Sequence, residues 1–254
     1  SAIPTTLVSK VAREHVTVSL SADGGDEIFG GYTKYTSKIN SLLTIYKWRT
    51  ILKLPIKVIN LLLKNTHYQH KLDLVSDCVF ARDISMVARK RIESNYIGLE
   101  VQGKLLNQHI PSHIKTAFDD VSLVNKDFNN SLDMMMAIDY KTYMVDDILN
   151  KVDRATMSVS LEGREPLLDH RLIEYVAQLP SHYKVKDGSK KHLLKSIVHN
   201  YIPKELIDRP KKGFGIPFDK WFSNEKNELF NYYLSDEIIK KQALFDQKIV
   251  RRMK

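Results

Sequence analysis

A mainly helical chain with one or a few parallel strands is the fold class this sequence predicts, and three observations predict it. Apolar residues recur at helical spacing through much of the 254 residues. One short β-branched run, Val16-Thr17-Val18-Ser19-Leu20, reads as a buried strand. That run stops at Ser21-Ala22-Asp23-Gly24-Gly25-Asp26-Glu27, a small, acidic, glycine-rich bend, before a helical pattern resumes. In parallel α/β sheets ligands bind at the carboxyl ends of the strands. A lone parallel strand cannot satisfy its own backbone polar groups, so the rest of a sheet is expected outside these residues.

The elements follow in order. Ile3, Leu7, Val8 and Val11 share a face of a helix over 3–14. After the strand and bend, a helix is expected from Asp26 into Ile39, Leu42, Leu43, Ile45 and Tyr46. Pro55 punctuates it, and a short helix runs on through Leu63. Residues 65–129 give a mixed signal and no chemistry. From Ser131 a strongly apolar helix carries Met135, Met136, Ile138, Tyr140, Tyr143 and Met144, a stripe that reads as core. Asp146 and Asp147 open the next segment, which ends in Val152-Asp153-Arg154. Pro166 breaks the chain, and Leu168-Asp169 starts a helix over Leu172, Ile173, Tyr175 and Val176. Asp187-Gly188 reads as a turn, and Ser189 as the cap of a helix carrying Leu193, Leu194, Ile197 and Val198. A proline- and glycine-rich basic loop, Arg209 to Pro217, precedes a last set of amphipathic helices.

Composition narrows the function classes. No stretch approaches the roughly 18 apolar residues of a membrane span, so no membrane partner is expected. The single cysteine, Cys78, lies in an apolar run and suits a buried, inert thiol in a reducing, cytoplasmic setting. The net charge of +9 comes from 39 basic and 30 acidic residues that are dispersed along the chain. With no helix-turn-helix, zinc-finger or RNA-recognition pattern, a basic helical nucleic-acid-binding module is the disfavoured alternative. An anionic substrate explains the charge better.

Two unlike clusters carry the chemistry. Asp23, Asp26, Glu27, Asp146, Asp147 and Asp153 are acidic, whereas Arg209, Lys211 and Lys212 sit together in the basic loop. Carboxylates hold magnesium through oxygen, and lysine or arginine neutralises phosphates. Four of the ten glycines fall within residues 20–32, which suits unusual backbone angles or close approach of a ligand. The residues therefore point to a magnesium–nucleotide site. They also suit a solvated bend leading into an acidic first helical turn.

The ordered motifs resemble one family. Ser21–Tyr32 resembles the SGDGGDExFGGY motif in the synthetase domain of glutamine-hydrolysing asparagine synthetases. Asp146–Met157 is similar to that family's DDxLxKVDRxxM segment, and Leu161–Asp169 to LEARVPFLD. Ser189–Leu194 and Arg209–Phe214 match GKxxLR and RxKxGF. The resemblance covers nearly the whole chain and is weakest between about 40 and 130. It implies the C-terminal helical portion of an α/β synthetase domain of the PP-loop, adenine-nucleotide hydrolase-like class. Residues 1–254 would form a partial domain, since the family's SGGxDS loop and glutaminase domain do not occur in them.

The implied reaction is ATP-dependent amidation of aspartate through a β-aspartyl-adenylate, with ammonia supplied by a glutaminase domain. Its cofactors would be ATP and Mg²⁺, and a homodimer is compatible with it. A related enzyme amidating another carboxylate, such as a sugar acid, is the alternative within the class. Carried over, Ser21, Ala22 and Gly24 would contact the nucleotide and Asp26 would bind the metal, with helix capping as its other reading. Asp23 would position or deprotonate ammonia. Lys211, competing with Lys212 and Arg209, would meet the charge on pyrophosphate. Asp147, Asp153 and Arg154 would organise the nucleotide side, and Glu162 with Arg164 would form an ion pair. Two departures stand out: Ala22 replaces a glycine, and Gly163-Arg164-Glu165 puts a charge where the family has Ala-Arg-Val. The 254 residues alone are expected to be inactive.

Overall fold

The computed structural model describes residues 1–62, 69–82, 86–87, 103, 105–106, 131–208, 215–217, 220 and 228–253. The chain divides into two compact units. One comprises residues 2–94 and 116–212, and the other residues 1, 95–115 and 213–254.

In the larger unit, α1 (Ala2–Arg13) leads into β1 (Val18–Leu20). The helix forms where its apolar spacing predicts, but Ile3, Leu7, Val8 and Val11 are all at least half exposed and only Ser9 is buried. The strand corrects the expectation of a buried one. Val16 and Val18 are exposed and Leu20 is 74% exposed, because β1 is paired on one edge and little covers its faces. Its partner is β2 (Glu162–Arg164), parallel, with Val18 opposite Glu162 and Leu20 opposite Arg164. The sequence Glu-Gly-Arg carries no β-pattern, so this strand owes its form to pairing rather than propensity.

Between them the expected single helix from Asp26 to Tyr46 is broken. α2 (Gly25–Phe29) ends at Gly30, whose left-handed φ of 69° stops the helical ladder. A 3₁₀ turn over Thr33–Tyr35 and then α3 (Ser37–Lys47) follow. α4 (Arg49–Leu62) contains Pro55 in its interior, contrary to the expected break there. Packing of α4 along α5 (Gln69–Phe80) outweighs the lost backbone hydrogen bond. Cys78 on α5 is fully buried, as its apolar neighbours predict.

α6 (Ser131–Lys141) carries the methionine stripe, and Met134, Met135, Met136 and Ile138 are indeed core, packed with Tyr35, Leu42 and Cys78. A π-helical turn over Met144–Leu149 joins it to α7 (Asn150–Met157). Beyond β2, a 3₁₀ turn over Pro166–Leu168 ends at Asp169, whose carboxylate accepts from the Arg171 N–H and caps α8 (His170–Gln178). α9 (Ser181–Lys184) runs into an antiparallel hairpin of β3 (Val185–Lys186) and β4 (Ser189–Lys190). Asp187 and Gly188, both with positive φ, make the expected turn. Ser189 lies within β4, so it does not cap α10 (His192–Val198); the left-handed Lys191 takes that position. α11 (Lys204–Ile207) closes the described part of this unit.

The smaller unit holds α12 (Glu228–Tyr233), α13 (Asp236–Gln242) and α14 (Gln247–Met253). Ser235 caps α13, Arg251 pairs with Asp236, and Leu106 bridges to Phe245.

Candidate active site

The parallel pairing of β1 and β2 sets the site. The ladder continues one step past the strands, where the Ser21 N–H donates to the Arg164 carbonyl at 2.8 Å. Asp23 and Glu165 therefore leave adjacent carboxyl ends of the same small sheet, the edge at which α/β folds place ligands. Ser21 and Asp23 also bind each other: the Ser21 hydroxyl donates to Asp23 Oδ2 at 2.5 Å, and the Asp23 N–H donates back to the Ser21 oxygen at 3.2 Å. This local clasp shapes the bend without help from distant residues.

Gly24 follows at φ 86°, and a Cβ there would lie 2.2 Å from Leu168 Cδ2. The bend thus needs glycine for both its backbone angle and its packing. Ile28 and Phe29 of α2 are buried with Val176 and contact Leu168, Leu172, Leu193 and Leu194. This plug fixes the bend against α8 and α10. It brings Asp26 to Lys191, whose Nζ lies 2.8 Å from Asp26 Oδ1.

Behind the bend lies a buried polar network. Glu27 is 2% exposed and accepts from the Tyr32 hydroxyl. Burial holds the Glu27 carboxyl above its ordinary range, against the opposing effect of that hydrogen bond. The Tyr35 hydroxyl donates to Asp139, and Lys34 Nζ pairs with the same carboxylate at 2.6 Å. The Lys34 ammonium also lies 4.9 to 5.6 Å from the ring centroids of Tyr32, Tyr35 and Tyr143, within cation–π range. Burial pushes the Tyr32 and Tyr35 phenols well above their ordinary range and raises that of Tyr143.

Glu165 sits in a mixed environment. Its carboxyl is raised first by burial, then by the negative charges of Asp23 and Asp153. The charges of Asp23, just after β1, and Asp153, on α7, thus reach Glu165, just after β2. Glu162 and Arg164 form the expected ion pair at 2.7 Å, with both side chains largely exposed. Asp147 pairs with Lys151 one helical turn on, at 3.6 Å. Ala22 and Arg154 are exposed. Lys211, with Arg209 and Lys212, lies outside the described residues.

The sequence-predicted residues thus divide. Ser21, Asp23, Gly24 and Asp26 share one bend, and the charges of Asp23 and Asp153 both act on Glu165. Sequence reasoning missed four participants: Lys191, Glu165, Lys34 and Asp139. Lys191 lay within a matched motif and Glu165 was noted as a departure, but neither signalled its partner.

The donor chemistry suits a magnesium–phosphate ligand. Magnesium takes carboxylate and phosphate oxygens and keeps one or two protein carboxylates, which Asp26 can supply. Among the described residues no three metal-ligating side chains gather in one place, so substrate phosphates would complete the set.

Comparison with known proteins identifies a family. The family model described as asparagine synthase matches residues 1–254. Asparagine synthetase [glutamine-hydrolyzing] 1 of Bacillus subtilis is 29% identical over 90% of this chain and 35% of its own length. A putative asparagine synthetase [glutamine-hydrolyzing] of Mycobacterium tuberculosis is 27% identical over 86% of this chain and 32% of its own. The human asparagine synthetase [glutamine-hydrolyzing] is 44% identical over a shorter stretch, 27% of this chain and 12% of its own. The chain spans about a third of the length of the first two. No solved structure matches.

Proposed function

Since the chain belongs to the asparagine synthase family, we infer that it carries part of the machinery for ATP-dependent amidation of aspartate. The observation that supports this most is the Ser21–Asp26 bend, which sets two carboxylates and a glycine turn at the carboxyl end of a parallel strand pair.

In this reading Ser21, Ala22 and Gly24 border the nucleotide, with Asp147, Asp153 and Arg154 on its other side. The aspartate side-chain carboxylate attacks the α-phosphorus of ATP, and pyrophosphate leaves. Asp26 would hold magnesium, which when bound neutralises phosphate charge. Lys211 meets the negative charge that grows on the departing pyrophosphate. Ammonia, delivered by a glutaminase domain, then attacks the acyl carbon of the β-aspartyl-adenylate. AMP leaves and asparagine forms. Asp23 positions the ammonia and takes up the proton it sheds. The domain around these residues is of the PP-loop class, the protein works in the cytoplasm, and a dimer is compatible with the reading.

Glu165 favours a second reading within the same chemistry. Glu165, which feels the charges of Asp23 and Asp153, changes the charge that an acidic substrate meets, which suits amidation of a different carboxylate, such as a sugar acid. The test follows AMP and amide formed from ATP, magnesium and ammonia by the protein that carries this chain, with aspartate and other acids in parallel. Asparagine with stoichiometric AMP supports the first reading. AMP formed only with another acid supports the second, and AMP with neither refutes both. The 254 residues alone, which hold no SGGxDS loop, are expected to form no AMP.

A further inference from the structure

We propose that Lys191 is an exchangeable counter-ion for Asp26: its ammonium holds the carboxylate in place and yields it to an incoming divalent cation. This rests on the reading that Asp26 receives such a cation.

Three observations carry the proposal. The pair is close, with Nζ 2.8 Å from Oδ1, yet both side chains keep contact with solvent, at 29% for Lys191 and 20% for Asp26. Two other lysine–aspartate pairs of the same unit differ. Asp139 beside Lys34 is 0% exposed and Lys184 beside Asp133 is 3% exposed, so those pairs cannot open without stranding a buried charge. The Asp26 pair opens from the lysine side, on a flexible and partly exposed stem, while Asp26 Oδ1 itself is buried.

Second, Lys191 lies along the glycine bend itself. A Cβ on Gly31 would fall 1.8 Å from Asp26 Oδ1 and 2.4 Å from Lys191 Cε, and one on Gly25 would fall 3.5 Å from Lys191 Nζ. Gly31 keeps this channel open for the lysine, and Gly25 borders it at ordinary contact distance. An ammonium released from Asp26 would stay beside the bend, where phosphate charge would sit.

Third, Lys191 holds this place in a left-handed backbone, at φ 55° and ψ 38°. That conformation is disfavoured for any residue with a side chain. Such outliers persist where the surroundings over-determine them, and here the β3–β4 hairpin and α10 fix both sides of Lys191.

The test measures Mn²⁺ binding to the 254-residue chain by electron paramagnetic resonance, with no nucleotide present. Lys191→Gly removes the ammonium and suits the left-handed backbone, so its fold should hold; Lys191→Met gives a second, independent removal. Both should bind Mn²⁺ roughly fivefold more tightly than the parent chain. Lys191→Arg, which keeps the charge, should stay near the parent, and Asp26→Asn should lose the site. Unchanged or weaker binding in both charge-removing variants overturns the proposal while leaving the Asp26 reading intact. Parent-like binding in Asp26→Asn overturns that reading and the proposal with it; no binding in any variant overturns the proposal alone, since in that reading substrate phosphates complete the ligand set.

Discussion

Lys34 Nζ lies 2.6 Å from Oδ2 of Asp139, a carboxylate with no exposure to solvent. The pair ties the 3₁₀ turn after the glycine bend to α6, and three tyrosine rings surround the ammonium. Removing one member of a buried pair strands the other charge. Lys34→Met should cost about 3 kcal/mol of stability, read from urea unfolding. Lys34→Met combined with Asp139→Leu should lose less than Lys34→Met alone. An equal or larger loss in the double variant would contradict the assignment.

Gly24 combines a φ of 86° with a would-be Cβ contact of 2.2 Å to Leu168 Cδ2. Gly24→Ala should therefore cost about 2 kcal/mol, seen as a lower denaturation midpoint. Leu168→Ala in the same chain relieves the clash but not the backbone strain, so it should restore only part of the loss beyond its own effect.

Burial keeps the Glu27 carboxyl protonated above its ordinary value of 4.5. The folded chain then binds more protons than the unfolded chain from pH 4.5 up to the raised value. Stability contributed by this group is full below pH 4.5 and is lost as pH rises through that window. Glu27→Gln should flatten this part of the melting-temperature profile. Parallel profiles for the parent and Glu27→Gln would show that burial does not act on this carboxyl.

Cys78 is fully buried, and burial, with a smaller effect from Asp77, pushes its thiol up to about 11. Thiol reagents depend on the thiolate and on access. Ellman's reagent at pH 8 should leave Cys78 unmodified in the folded chain and titrate one thiol per chain in denaturant.

On the proposed reaction, Asp23→Asn should lower amide formation by about 10² to 10⁴ in rate, the usual scale for a lost acid–base group. Release of pyrophosphate dependent on the acid substrate should persist, because that step precedes attack by ammonia. Loss of both steps to the same degree would assign Asp23 to nucleotide binding instead.

Short-range features were legible in the residues alone. The extent of α1, the core methionines of α6, the Asp187-Gly188 turn and the helix start at Leu168-Asp169 all depend on neighbours within a helical turn or a tight bend. These are outcomes of periodicity, capping and backbone angle, which a stretch of sequence carries with it.

Long-range features were decided by the tertiary structure. Glu162–Arg164 becomes a strand because β1 is beside it, and α4 runs through Pro55 because α5 supports it. Asp26 meets Lys191, and Asp139 meets Lys34, only after α2 and α6 are packed. Each charge carries its chemistry in the sequence, but its partner depends on packing between segments far apart in the chain. The residue types of the site were therefore set locally, whereas the pairs they form were set by the fold.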